Sequence, residues 1–329
     1  MAKVTGAGGE RLLVALYGPT SSGKTALSID LAKRVERDLG RRVVVISADS
    51  RQVYRYMDVG TSKTTTAEMR GVRHEMIDVV EPIRKLELEE YVRLAREHIR
   101  NAFDAGELPF VVGGTGVYVK ALLEGWAVDR VGAARTALRR DFPRALAGDA
   151  YLTLRRLDRA AAARVHPNNY EAVINALATA MGGEQPATGS GQWFRRVVLG
   201  LDPGVQAVDQ RVVRTYDRQV QHGLFEEILA LEERYGLAHE LRRSGPDAAN
   251  QVLHTHGYRE YFEVALERGR PVARLDEADL VEIRSRVLEH IQGYTRRQRS
   301  FMAKLPGVRR VTSARQAAAL VTGSGVAGG

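Results

Sequence analysis

The chain of 329 residues is 44% hydrophobic and carries a formal charge of +9, so it is long enough to bury one large core or two smaller ones. It contains no cysteine, which excludes disulfides, thiolate metal centres and cysteine nucleophiles. The opening residues MAKVTGAGGE lack the apolar stretch of a secretory signal and no run of about 18 apolar residues predicts a membrane span, so a cytoplasmic location is expected.

In chain order, short apolar runs predict strands at Leu12–Tyr17, Val43–Ser47, 76–80 and 110–112, and helical periodicity predicts helices at 25–39, 88–105 and 117–123. Strand and helix alternate, which predicts a parallel sheet with ligands at the carboxyl ends of its strands. From residue 127 to 181 the pattern turns helical and rich in Arg and Ala, with breaks at Pro143, Gly148 and Pro167. A flexible connector follows at 182–192, then a strand at 193–201 returning to the first domain, then helices at 206–221, 224–235, 258–268 and 279–304. The glycine-rich tail at 321–329 is expected to be disordered.

Between the first strand and the first helix lies GPTSSGKT, residues 18–25, a complete GxxxxGKS/T loop. Gly18 and Gly23 allow the backbone to curl so that the N–H groups of Thr20, Ser21, Ser22 and Gly23 turn inward. The helix start adds its positive end, and Lys24 adds a full charge for a terminal phosphate. The Thr25 hydroxyl suits Mg²⁺. The fold class is therefore expected to be α/β: a P-loop NTPase-like parallel sheet flanked by helices, with an inserted helical lobe. Residues 1–126 and 193–329 would form the core with its C-terminal helices, and 127–192 the lobe.

Two more turns carry polar chemistry. The second strand runs into Asp49, which could anchor a metal or act as general base toward a bound phosphate compound. The fourth runs into Gly113, Gly114, Thr115 and Gly116, whose N–H groups and hydroxyl could face an anion from the side opposite the loop. Positive charge is concentrated in two places. Residues 130–164 hold nine Arg against three Asp, and residues 284–310 hold eight Lys or Arg against Glu289 alone, a density that suits a phosphate backbone. No histidine spacing predicts a structural zinc site, and His74, His166 and His256 carry no assignment.

Together GPTSSGKTALSIDLA (18–32), ADSRQVYRYMDVGTSK (48–63), GVRHEMIDVVEP (71–82) and GELPFVVGGTGVYVKALLEG (106–125) resemble the tRNA dimethylallyltransferases, also called isopentenyltransferases; AAARVHPNN (161–169) and GYRE (257–260) are similar to further signatures of that family. The resemblance implies a monomer that transfers a dimethylallyl group from dimethylallyl diphosphate to the exocyclic amine of an adenine in the tRNA anticodon stem-loop, with Mg²⁺ bound at Thr25 and Asp49. It also implies that Asp49 accepts the amine proton, that Thr115 donates to the departing diphosphate beside Lys24, and that Ser50 and Gln52 contact the target adenine.

The second half departs from the family pattern. An arginine-containing RALE helix is replaced by Ile174 to Ala178 (INALA), and a helical arginine that approaches the diphosphate is replaced by Thr215, leaving Arg211, Arg214 and Arg218 as neighbours. Arg214 or Arg218, within about one helical turn, could take that role. TRxYAKRQxTW becomes residues 291–301, which keep the basic pair Arg296 and Arg297 and the following Gln298, expected at the tRNA, but lack the preceding arginine. Alternative readings are prenyl transfer to a free adenine nucleotide of the cytokinin type, a P-loop small-molecule kinase, and a non-catalytic RNA-binding protein.

Overall fold

The structure is a computed structural model that describes residues 11–124, 131–181 and 194–323. The strands are β1 Leu12–Tyr17, β2 Val43–Ser47, β3 Arg73–Glu75, β4 Leu108–Gly113, β5 Arg195–Gly200 and β6 Arg309–Arg310, in the order β3-β2-β4-β1-β5-β6 with every pairing parallel. The helices of the first half are α1 Lys24–Leu39, α2 Thr66–Met69, α3 Leu88–Asp104 and α4 Gly116–Glu124. Four more follow, α5 Val131–Asp141, α6 Ala147–Leu157, α7 Arg159–Ala162 and α8 Tyr170–Ala180. The second half adds α9 Val205–Gln221, α10 Leu224–Tyr235, α11 Leu237–Ser244, α12 Arg259–Glu267, α13 Glu277–Met302 and α14 Ala314–Thr322.

The chain divides into two compact units, residues 1–123 with 194–329 and residues 124–193. In the larger unit β1 is buried along its whole length, as expected of a central strand covered on both faces. Leu12, Val14 and Leu16 share a core with Ile29, Leu31 and Val35 of α1 and Ala317, Ala318 and Val321 of α14. Each large apolar side chain among them, buried from water, contributes about 1.5–3 kcal/mol. Elsewhere in the unit Tyr91 of α3 stacks on Tyr118 of α4 with ring centroids 3.7 Å apart, and its hydroxyl donates to the Ser47 carbonyl at 2.9 Å. In the smaller unit Leu138, Leu154, Val173, Ile174 and Leu177 form a separate core. The INALA departure is part of it: Ile174, Leu177 and Ala178 are buried, while Asn175 Oδ1 accepts from Arg135 at 3.0 Å.

Two sequence expectations are corrected, and one strand is added to those the sequence predicts. The third strand lies at Arg73–Glu75, not 76–80, because Met76 and Asp78 adopt left-handed backbone (φ 65° and 55°) that breaks an extended run; only a single bridge, Tyr54 to Val80, remains there. The two-residue β6 has no apolar pattern to announce it and is defined by its pairing with Leu199 and Gly200. Val321 and Thr322, assigned to a disordered tail, complete α14, which Gly323 ends in left-handed backbone (φ 72°). The connector 182–192 and residues 324–329 lie outside the described residues.

Candidate active site at the carboxyl edge of the sheet

Strand register builds the site. Tyr17 pairs with Gly113 on one side and Gly200 on the other, and Ser47 pairs with Val112, so β1, β2, β4 and β5 end at nearly one level. The segments that follow, Gly18–Thr25, Ala48–Gln52 and Gly114–Gly116, are thereby brought to one edge. Their approach is close enough to require glycine. A Cβ on Gly113 would stand 2.0 Å from the Ala48 carbonyl oxygen, and one on Gly18 would stand 2.5 Å from that of Leu201.

The phosphate-type loop closes on itself through the Ser22 amide, which donates to the Pro19 carbonyl at 3.2 Å. Ser21 (φ 60°) and Gly23 (φ 95°) take left-handed backbone, so Gly23 enters α1 with no side-chain cap and with no acidic residue in the first turn. Uncapped N–H groups at a helix start favour an anion. Lys24 Nζ donates to the Pro19 carbonyl at 2.7 Å. Burial pushes its pKa down to about 8, against the opposing pull of the Asp49 charge.

Asp49 is held by a turn of its own making: Oδ1 accepts from the Arg51 amide at 2.8 Å and from the Gln52 amide at 3.4 Å. Thr115 Oγ1 accepts from the Ser50 amide at 2.9 Å, and the Thr115 amide donates to the Ala48 carbonyl at 3.1 Å. Tyr294 of α13 also lines this edge, and its phenol is raised in pKa chiefly by burial and then by the Asp49 charge. Gln52 gives its amide to the Ser62 carbonyl at 3.2 Å, so its side chain orders the 57–63 segment. That segment is clamped by Glu227 of α10, which accepts from the amides of Asp58, Val59 and Gly60 at 2.8, 2.8 and 3.1 Å and from the Tyr258 hydroxyl at 2.7 Å.

A cleft of about 1040 Å³ opens over this edge, lined by Thr20, Ser21, Gly23, Lys24, Thr25, Asp49, Gln52 and Gly113 together with Arg211, Arg214, Thr215 and Arg218 of α9. Gly18, Ser22, Ser50, Gly114 and Thr115 stand behind that lining as its framework. Arg296 and Arg297 are exposed on α13 and do not line the cleft. Arg297 lies over the Tyr294 ring at 5.8 Å, and Arg296 is 3.9 Å from Asp209.

Two residues take positions that the sequence did not indicate. Gln298, expected at tRNA, is buried between the loop and the GGTG turn: Oε1 accepts from the Thr20 amide at 2.9 Å and Nε2 donates to the Gly114 carbonyl at 2.8 Å, while its own carbonyl accepts from Tyr17 at 2.8 Å. It is a brace rather than an exposed RNA contact. Gln298→Ala should lower the unfolding free energy by about 1–3 kcal/mol by orphaning the Gly114 carbonyl; a urea titration that leaves the midpoint unchanged would contradict the brace. Arg211, one of three neighbours of Thr215, donates to the Ser22 carbonyl at 2.6 Å, so of the helix's arginines it is the one fastened to the loop. Ser21 Oγ lies 3.5 Å from Thr215 Oγ1, which brings the departed family position itself against the loop.

Not all of the 284–310 charge is available to an external phosphate. Arg284 pairs with Asp217, Arg286 with Glu267 and Glu282, and Arg299 with Asp202.

A P-loop-like α/β protein with an arginine-lined cleft at the carboxyl edge of its sheet is the class that fold and site define. The model of the IPP transferase family matches residues 52–305. A tRNA dimethylallyltransferase of Koribacter versatilis is 36% identical over 312 residues, covering 91% of this chain and 92% of the relative, and one of Roseiflexus sp. is 34% identical, covering 90% and 91%. Among solved structures, the tRNA isopentenylpyrophosphate transferase of Bacillus halodurans superposes with a TM-score of 0.63 at 28% identity, covering 95% of this chain and 96% of that one. A eukaryotic dimethylallyltransferase acting on tRNA gives a TM-score of 0.72 at 22% identity, covering 95% and 77%, a likeness of fold. The chain belongs to the IPP transferase family.

Proposed function

We propose that the chain transfers a dimethylallyl group from dimethylallyl diphosphate to the exocyclic amine of an adenine next to the tRNA anticodon. The observation that carries this reading is the register-driven meeting of the phosphate-type loop, the Asp49 turn and the α9 arginines in one cleft. The loop amides, Lys24 and the α9 arginines hold the diphosphate. As the allylic C–O bond breaks, its electron pair passes to the diphosphate oxygen, where these donors stabilise the developing charge. The adenine nitrogen bonds to the allylic carbon and its proton passes to Asp49, whose Oδ1 is anchored by backbone amides so that the carboxylate keeps one orientation. Thr115 fixes the Asp49 segment by accepting from the Ser50 amide, and its hydroxyl proton would be donated to the departing diphosphate. The Thr25 hydroxyl and the Asp49 carboxylate are hard oxygen donors in the cleft that holds Lys24, a donor set that fits Mg²⁺. The ion would add positive charge at the leaving diphosphate.

For the acceptor, single-stranded anticodon bases can be splayed out at modest cost. Gln52, which lines the cleft with Asp49, and Ser50 behind it would contact the adenine. Arg296 and Arg297, with Arg155, Arg156, Arg159 and Arg164, all exposed, would meet the RNA backbone. Replacing Arg296 and Arg297 together should weaken tRNA binding and flatten its salt dependence by about 0.7–0.9 log units for each phosphate no longer neutralised. An unchanged slope in filter binding would move the RNA surface elsewhere. No helix among the described residues is long and apolar enough to cross a membrane. On this reading the chain works in the cytoplasm, with the tRNA it modifies.

Nucleoside analysis of tRNA from cells with and without the chain tests the activity, and a labelled-donor assay with AMP, ATP and tRNA tests the acceptor. Loss of a prenylated adenosine from tRNA is expected. Transfer to AMP with none to tRNA would establish the nucleotide-type activity instead.

A further inference from the structure

At the cleft lining, three side chains converge on one point: His256, Glu260 four residues on in α12, and His290 of α13. Glu260, in the first turn of α12, is fully buried. Its Oε1 meets His256 Nδ1 at 3.2 Å and His290 Nδ1 of α13 at 2.7 Å. Its other oxygen accepts from the Gly257 amide at 2.8 Å, which turns Oε1 toward the two imidazoles. Gly257 in left-handed backbone (φ 96°) turns His256 back over the start of α12, and the two rings approach with centroids 5.1 Å apart, tilted by 38°. All three donor atoms lie within 4.8 Å of one another.

Ligands about 2.0–2.1 Å from a common tetrahedral ion stand roughly 3.3 Å from each other. The separations to Oε1, 3.2 and 2.7 Å, lie at or somewhat below that value. Small rotations of the imidazoles are enough to open the second. Both rings are partly exposed, so an ion can reach them, and His256 lines the same cleft as Asp49. A buried carboxylate also gains most from a partner carrying full positive charge.

We propose that His256, Glu260 and His290 form a binding site for a divalent transition ion of the zinc class, at the part of the cleft wall that His256 lines. Two imidazole nitrogens and one carboxylate oxygen favour zinc, cobalt or iron over magnesium, which prefers an all-oxygen shell. On binding, each neutral imidazole carries its proton on Nε2 and gives the Nδ1 lone pair to the ion. Water completes the shell. The ion ties the start of α12 to α13, the helix that also supplies Ile291 and Tyr294 to the cleft.

Cobalt(II) is the probe, because its visible absorption reports ligation directly. Tag-free full-length chain titrated with cobalt should show d–d bands that saturate at one ion per chain and are displaced by zinc, and zinc should raise the melting temperature. His256→Gln and His290→Gln, each checked for native circular dichroism, should weaken cobalt affinity by at least about tenfold, whereas Asp49→Asn should leave it unchanged. Absence of saturable bands in the wild type would overturn the site, as would bands that survive both histidine substitutions or vanish with Asp49→Asn. A purely hydrogen-bonded cluster predicts the first of these results, with melting temperatures indifferent to zinc.

Discussion

Asp49→Asn should reduce turnover on tRNA by about 10²–10⁴-fold, the range for loss of a positioned general base, with tRNA affinity changed little. Asparagine is the informative replacement because its Oδ1 can still accept from the Arg51 and Gln52 amides, so the turn at the end of β2 survives while the proton acceptor is removed. Asp49→Ala removes both and should add a loss of stability. Rapid-quench turnover and filter binding on the same preparations separate the two functions. Equal loss of tRNA binding would contradict the base, and a shifted Mg²⁺ requirement with turnover intact at saturating ion would assign Asp49 to the metal instead.

Lys24→Ala should lower kcat/KM for the donor by about 10²–10³-fold, comparable to removal of one donor aimed at developing negative charge. Donor binding and rate should fall together, because the ammonium meets the diphosphate both before and during bond cleavage. The wild-type pH profile carries a second, independent signature. With the Lys24 pKa lowered by burial to about 8, the charged form dominates below that pH and gives way to the neutral amine as pH rises through it. kcat/KM for the donor should therefore decline above about pH 8, and the decline should be absent from Lys24→Ala. A variant that retains donor affinity and rate would remove the loop from the donor site.

Much of the fold was legible because its signals are local. The apolar runs at Leu12–Tyr17 and Val43–Ser47 became strands with those bounds, and GPTSSGKT sits between a strand and a helix. The loop carries its own instructions, since glycine supplies the left-handed backbone at Gly23 and the near contact at Gly18. The third strand failed for a reason of the same local kind: apolar character at 76–80 was visible, but the left-handed residues Met76 and Asp78 that break it were not, because neither is a glycine.

The site was half legible. Lys24, Thr25 and Asp49 could be named from motif and strand end, and the register then brought them to one cleft. Gln298 could not, because its role as a brace exists only once α13 lies across the carboxyl edge and its amide finds Thr20 and Gly114. Arg214 or Arg218 was expected in the role of the missing family arginine, but it is Arg211, named only as a neighbour of Thr215, whose guanidinium found the Ser22 carbonyl. Of the charges at 284–310, Arg284, Arg286 and Arg299 proved to be committed to carboxylates from other helices or loops.

The sequence by itself determined the α/β class, the phosphate-type loop and the family, because periodicity, glycine placement and motif order are properties of neighbours along the chain. Tertiary structure alone decided which arginine braces the loop, which basic residues remain exposed, and that His256, Glu260 and His290 share one point in space. Apart from the His256–Glu260 contact four residues along the chain, those depend on pairings between residues tens to hundreds of positions apart, set by helix packing and strand register, which no local pattern encodes.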